Sequence, residues 1–213
     1  MAPVLQTDKP TIRRVIHANR RWFGLAAVLF FASAVVMYGM PQNASQLSDA
    51  VLNAQMEGLH RLVDLIMGLP PVAAALFVFV NNMVSMVQML VLGFIAGLSP
   101  VLTLCLNGML VGAVSAMTDL EGPALLRVLT VSILPHGVFE LAAFFISGGL
   151  GLKLGYHCTF APLPGRTRKE SFKAIWREVW TLLPLVTLLV LVAGFVEVFV
   201  TGHLVERLVS MSM

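Results

Sequence analysis

Charge is the first thing this sequence lacks. Of its 213 residues only 12% are Asp, Glu, Lys or Arg, where soluble domains carry about 25%. The deficit is concentrated in long uncharged windows, which excludes an ordinary soluble fold. Cysteine is nearly absent as well. Cys105 lies inside one apolar window and Cys158 in a basic stretch beyond the next, so the two cannot meet and a disulfide is excluded. Cys105 reads as a small buried hydrophobe. Neither internal repeats nor low-complexity tracts divide the chain. A single membrane domain over residues 22–213 is expected to follow a short basic segment, 1–21. The net charge of +3 is accounted for by topology, and nothing in its distribution points to nucleic-acid binding.

What is present is apolar side chain, 58% of the residues, gathered into five windows near the roughly 20 residues needed to cross hydrocarbon. They fall near 22–40, 71–96, 100–118, 128–151 and 179–202. The expected fold is all-α, a polytopic bundle of five transmembrane helices. The first window is long for the apolar region of a signal peptide and 21 residues precede it, so an uncleaved helix is expected. Lys9, Arg13, Arg14, Arg20 and Arg21 precede the first span. Lys153, Arg166, Arg168, Lys169, Lys173 and Arg177 lie between the fourth and fifth. Four crossings separate the two groups, which puts them on one side. An excess of Lys and Arg marks that side as cytoplasmic. Only Arg61, Arg127 and Arg207 fall elsewhere. The N-terminus is expected inside and the C-terminus outside.

Two stretches are amphipathic. In "SQLSDAVLNAQMEGLHRLVDLIMG", residues 45–68, Leu52, Met56, Leu59, Val63 and Ile66 share one helix face, with Ser48 as a candidate N-cap. This predicts an outer helix, lying in the interface or over the bundle. In "TRKESFKAIWREVW", residues 167–180, Phe172, Ile175, Trp176 and Val179 form a face ringed by Arg168, Lys169, Lys173 and Arg177. That pattern predicts a basic cytoplasmic loop whose helix anchors at the inner leaflet. Small residues four apart, at Gly93 and Gly97, Gly108 and Gly112, and Gly151 and Gly155, let helices approach closely. Whether they do so within one chain or in a homodimer stays open at this point.

Against so apolar a background, polar residues within the spans stand out. Asn81, Ser85 and Gln88 share a face of the second span, and Thr103 and Asn107 a face of the third. Ser132, His136, Glu140 and Ser147 do so in the fourth, and Gly194, Glu197 and Thr201 in the fifth. At about 1.5 Å per residue from the expected outer boundaries, Asn81 and Asn107 lie about 15 Å deep, His136 about 12 Å, Glu140 about 18 Å and Glu197 about 8 Å. One layer in the outer half of the membrane can hold them all. Pro135 removes a backbone donor to Val131 and predicts a local kink. Gly137 leaves room beside His136.

The motifs "NN" at 81–82, "NGMLVG" at 107–112, "PHGVFE" at 135–140 and "VEVFVT" at 196–201 resemble those of the stage II sporulation protein M family. The resemblance covers residues 70–202, and "PHGVFE" is its most specific part. It implies a five-helix inner-membrane protein of bacteria or archaea, and for this chain a scaffold or regulatory component at the cell envelope. It also implies family polar positions at Asn81, Asn82, Asn107, His136, Glu140 and Glu197. The implied partners are membrane lipids and cell-wall hydrolases or other envelope proteins.

Three readings of the polar stripes stay open. In the first, Asn, His and Glu form a closed network that locks the helices together. Interhelical polar contacts average only about 0.6 kcal/mol, and a protonated Glu donating to His or Asn lowers the cost of burial. In the second, His136, Glu140 and Glu197 bind a divalent metal. One His with two carboxylates suits zinc first, then iron or manganese, although no HExxH is present. Such a centre would serve an intramembrane hydrolase, with the same three residues as catalytic candidates. In the third, the buried acids carry an ion or proton in coupled transport.

Overall fold

A computed structural model describes residues 11–40, 46–117 and 122–204. All regular elements in these residues are helical. They are α1 (Ile12–Tyr38), α2 (Gln46–Met67), α3 (Pro71–Val91), α4 (Leu98–Met117), α5 (Gly122–Ser132), α6 (Leu134–Thr159) and α7 (Arg168–Val196). A single 3₁₀ turn, Leu92–Phe94, follows α3, and a π-helical segment, Glu197–Thr201, continues α7. Five helices are long and apolar enough to cross a membrane: α1, α3, α4, α6 and α7. The expected five-helix, all-α architecture is what the chain adopts. Lys9, Arg207 and the tail after residue 204, with the side chains of Ser48, Leu52 and Leu59, lie outside the described residues.

Several boundaries differ from the expected ones. The first helix starts at Ile12, so Arg13, Arg14, Arg20 and Arg21 belong to its first turns instead of a separate segment. Hydropathy reports the apolar length of a helix and misses a polar overhang. The same effect moves the start of α7 to Arg168, where Thr167 and Glu170 form a reciprocal capping box. Thr167 Oγ1 accepts from the Glu170 amide at 3.3 Å, and Glu170 Oε2 accepts from the Thr167 amide at 2.8 Å. The amphipathic stretch 167–180 is therefore the start of the fifth span. Most of its apolar face packs inward: Ile175 and Val179 are buried and Trp176 packs on the core, while Phe172 stays exposed. The last helix but one runs on to Thr159, which places Lys153 and Cys158 in α6 and not in a loop.

Alpha-6 is the centre of the bundle. Two thirds of its window is buried, against a third or less for each other span, and it touches α1, α3, α4 and α7. Its glycines explain how. A Cβ on Gly151 would lie 2.5 Å from the Met89 carbonyl oxygen, and one on Gly93 would lie 2.8 Å from the Gly151 Cα. A Cβ on Gly155 would collide with the backbone of Gly97. Gly97 itself turns the chain between α3 and α4 with φ +72°, a region open to glycine. Gly108 and Gly112 sit against the Phe30 and Ala34 carbonyls of α1. All three small-residue pairs are thus used inside one chain, to bring backbones into contact.

The contacts also fix direction. Phe30 and Ala34 follow Gly108 and Gly112 in parallel, while Trp22 meets Tyr156 and Phe30 meets Phe144 with the chains antiparallel. The start of α1, the turn at 92–97, the end of α6 and the start of α7 share one end of the bundle, the basic end. The end of α4, α5, the start of α6 and the end of α7 share the other. Alpha-2 is a helix as expected, starting at Gln46 and so carrying Ser48 inside it. It touches α3 and α4, but Val63, Leu65 and Met67 stay exposed.

Candidate metal centre

Pro135 decides where α6 begins. A single kinked helix was expected through 128–151. Instead α5 ends at Ser132, and α6 starts at Leu134 with Pro135 in its first turn, where a missing N–H leaves no bond unmade. The junction keeps its hydrogen bonds: the Ile133 amide donates to the Leu129 carbonyl at 2.9 Å, and the Gly137 amide to Ile133 at 2.8 Å. His136 and Glu140 therefore lie only about 3 Å and 9 Å along α6 from Leu134, not 12 Å and 18 Å from a start at 128. The site is closer to the end of the bundle than depth counting suggested.

Glu197 comes to the same place from α7. It opens the π-helical segment, whose Gly202 amide donates to the Glu197 carbonyl five residues back. Such segments recur at functional sites. One donor atom each from His136, Glu140 and Glu197 lies within 4.8 Å of the other two, and all three residues are half-buried. Donors around a tetrahedral zinc ion are about 3.5 Å apart, given bonds of about 2.0–2.2 Å. The trio's bound of 4.8 Å is compatible with that spacing after rotation of a carboxylate. The imidazole has a hydroxyl partner, with Nδ1 3.1 Å from the Oγ1 of buried Thr201. When Nδ1 donates, Nε2 carries the lone pair, the arrangement in which metal-ligating histidines are usually fixed. Neither carboxylate meets a Lys or Arg, or accepts a hydrogen bond, among the described residues.

The asparagines divide. Asn107, whose amide donates to the Thr103 carbonyl at 2.8 Å, shares a cavity of about 580 Å³ with His136 and Glu140. Asn81 is exposed and its side-chain amide donates to Asn82 Oδ1 at 3.5 Å. Neither lines the cavity. Ser147, on the same stripe as Glu140, is fully buried further along α6 with its hydroxyl unpartnered.

Sequence reasoning missed a second cluster at the basic end. Lys153 Nζ donates to Glu178 Oε2 at 2.6 Å and to Asn19 Oδ1 at 2.8 Å. Asn19 Nδ2 donates to the same Glu178 oxygen at 3.0 Å and to the Val15 carbonyl at 2.9 Å. Three helices, α1, α6 and α7, meet there through a closed set of bonds. The signal was available: "GLGLKLGYH" sets Lys153 inside an apolar run, which a loop cation would not need.

Comparison with known proteins agrees with the motifs. The family described as Stage II sporulation protein M matches residues 25–202. An uncharacterized protein of Methanocaldococcus jannaschii is 29% identical over 133 residues, which is 62% of this chain and 74% of that one. No solved structure matches.

Proposed function

The chain belongs to the stage II sporulation protein M family, and we propose that it is a multi-pass membrane metalloprotein holding a divalent ion, zinc most readily, on His136, Glu140 and Glu197. One observation carries this reading: three metal-ligating groups from two helices converge within 4.8 Å, and two of them are acids that meet no Lys or Arg among the described residues. Two like charges brought together in a low-dielectric setting repel strongly, and a divalent cation removes that cost. Three protein donors with a fourth position open is the pattern of catalytic zinc rather than structural zinc. Bound there, the ion would supply Lewis-acid chemistry for hydrolysis at the membrane. Asn107, His136 and Glu140 present the polar end of the adjoining cavity, and Thr201 keeps the imidazole turned toward the acids.

The test is metal analysis of protein purified without chelator. Close to one zinc per chain is expected, falling below a tenth in His136→Ala while that variant keeps its helical circular dichroism. Wild-type protein with no metal after incubation with excess zinc would overturn the reading. Ion transport draws less support, because apolar side chains such as Met86, Leu104, Ala143 and Leu150 fill the core between the two polar clusters.

The basic end is proposed to face the cytoplasm of a bacterial or archaeal inner membrane, by the bias of Lys and Arg, with the metal site toward the outer surface. A scaffold or regulatory role at the envelope has its own support in the uncovered apolar residues of α2, Val63, Leu65 and Met67. Crosslinking from α2 that recovers lipid and no envelope protein would remove it. A homodimer draws no support from the glycine pairs, which pack within the chain.

A further inference from the structure

The cavity beside the trio is lined mostly by apolar side chains. Phe30 and Phe31 of α1, Leu110 of α4, and Leu141 and Phe144 of α6 wall it, and Asn107, Thr130, His136 and Glu140 supply polar atoms. Its volume, about 580 Å³, is within the range of small-ligand sites. The aromatic wall is well set: Phe30 lies edge-on to Phe144 and Phe145, with ring centroids 6.1 Å and 5.6 Å away. The cavity lies between helices that have the length and hydropathy of membrane spans, so molecules entering from the side come from the bilayer.

Charge selects among such molecules. A divalent ion on two carboxylates and a neutral imidazole makes a centre with no net charge. A further anion would make it negative in a poorly screened setting, which is costly. A neutral oxygen donor suits the open position better. An apolar cavity that ends at a neutral metal centre fits a chain with an uncharged carbonyl at its head.

We propose that this cavity takes the acyl chain of an uncharged membrane lipid and sets its ester carbonyl at the His136, Glu140 and Glu197 site. The proposal rests on the metal reading for its polar end and on the cavity for its chain. Asn107, on the rim, is placed to donate to the head group. Val138, also lining the cavity and 56% exposed, sits where a chain passes from lipid into protein.

The experiment uses the full chain in nanodiscs with a monoacylglycerol carrying a photoreactive diazirine in mid-chain, and the corresponding free fatty acid as the anionic counterpart. With zinc-loaded protein, the ester probe is expected to label the segments around Phe30, Leu110 and Phe144. Its yield should be at least fivefold above that of the fatty acid, and should fall at least fivefold on chelation. Leu110→Trp, which fills the cavity, should cut labelling at least tenfold while zinc content stays unchanged. Val138→Trp adds bulk only at the open rim, and should cut it at least threefold if the first variant does not fold. Labelling spread evenly over all lipid-facing helices and unmoved by either variant would overturn the proposal, as would a preference for the fatty acid. Protein that binds no zinc but still captures the probe, in a manner Leu110→Trp abolishes, would sink the metal reading and the carbonyl placement and leave only the chain site. Zinc binding without selective capture would sink this proposal alone.

Discussion

The bundle carries a polar cluster at each end, and the two are built on opposite plans. At the basic end Lys153, Asn19 and Glu178 match a cation to an anion and bridge them with an amide, so that donors and acceptors meet inside the cluster. Lys153 is almost fully buried. At the other end His136, Glu140 and Glu197 place two acids and an imidazole together, with no Lys or Arg paired to either acid among the described residues, next to an open cavity. A closed, charge-matched cluster holds helices in register and is finished when the chain folds. A cluster of two acids and an imidazole lacks that internal match among the described residues, which is why a divalent ion is proposed for it. Both sit on α6 and α7, so the same pair of helices supplies the clamp at one end and the site at the other.

The sharpest way to test that contrast is to break the clamp. Lys153→Met leaves Glu178 without its cation among buried neighbours. Removing one member of a buried pair costs about 3–5 kcal/mol, and the lower figure applies because the Glu178 side chain keeps 22% exposure. Thermal unfolding in detergent should show this loss, and adding Glu178→Leu to Lys153→Met should restore much of it. If Lys153→Met unfolds with the wild-type midpoint, the cluster is no clamp.

Glu140→Gln should do the reverse. It removes one of two facing acids, so metal-free protein should be no less stable than wild type. Zinc affinity should fall by at least a hundredfold, equivalent to about 2.7 kcal/mol, as read by competition with a chromogenic chelator. A loss of folding on the scale of Lys153→Met, with metal retained, would show that the far cluster is a second clamp and erase the difference between the two ends.

How much of this the sequence made legible depends on what each residue's signal averages over. Apolar length is a sum over about 20 residues, so five spans could be counted and their order read. Boundaries rest on single residues. Pro135 was legible as a disturbance, but whether it kinks a helix or starts one depends on what its neighbours pack against, and Ile133 settles that only in three dimensions. His136, Glu140 and Glu197 were found because a charge in an apolar run is conspicuous and their helices were expected to be adjacent. Asn19, Lys153 and Glu178 were missed since each sits near a basic segment, where charges look like topology signals. Asn81 was placed with the trio by its helix stripe and its depth, and Asn82 only by the family resemblance. Depth leaves the azimuth of a helix undetermined, and α3 turns Asn81 outward.

Thr201→Val sharpens the comparison with a smaller effect. At the clamp, side chains hold one another. At the proposed metal site, the Thr201 hydroxyl lies 3.1 Å from His136 Nδ1, and its proposed role is to orient the ring. Removing an outer partner of a metal-ligating imidazole lowers affinity by about 10–100-fold, so Thr201→Val should retain zinc at high concentration and lose it first on dilution. Thr201→Ser, which keeps the hydroxyl, should stay close to wild type. Equal losses in both variants would mean that packing of the threonine methyl, and not its bond to His136, supports the site.

The smallest effect is expected at Asn81. Its motif position matched the family as well as that of Asn107, so a reading by motif alone predicts that both asparagines matter to the site. The geometry separates them. Asn107 borders the cavity, whereas Asn81 faces outward and its amide contacts Asn82. Asn81→Ala should therefore leave zinc affinity within about twofold of wild type, under about 0.4 kcal/mol. Asn107→Ala should leave zinc in place and weaken capture of the ester probe. If Asn81→Ala instead releases the metal, then α3 rotates toward α7 in the working protein, and the site has a fourth helix that the present arrangement keeps turned away.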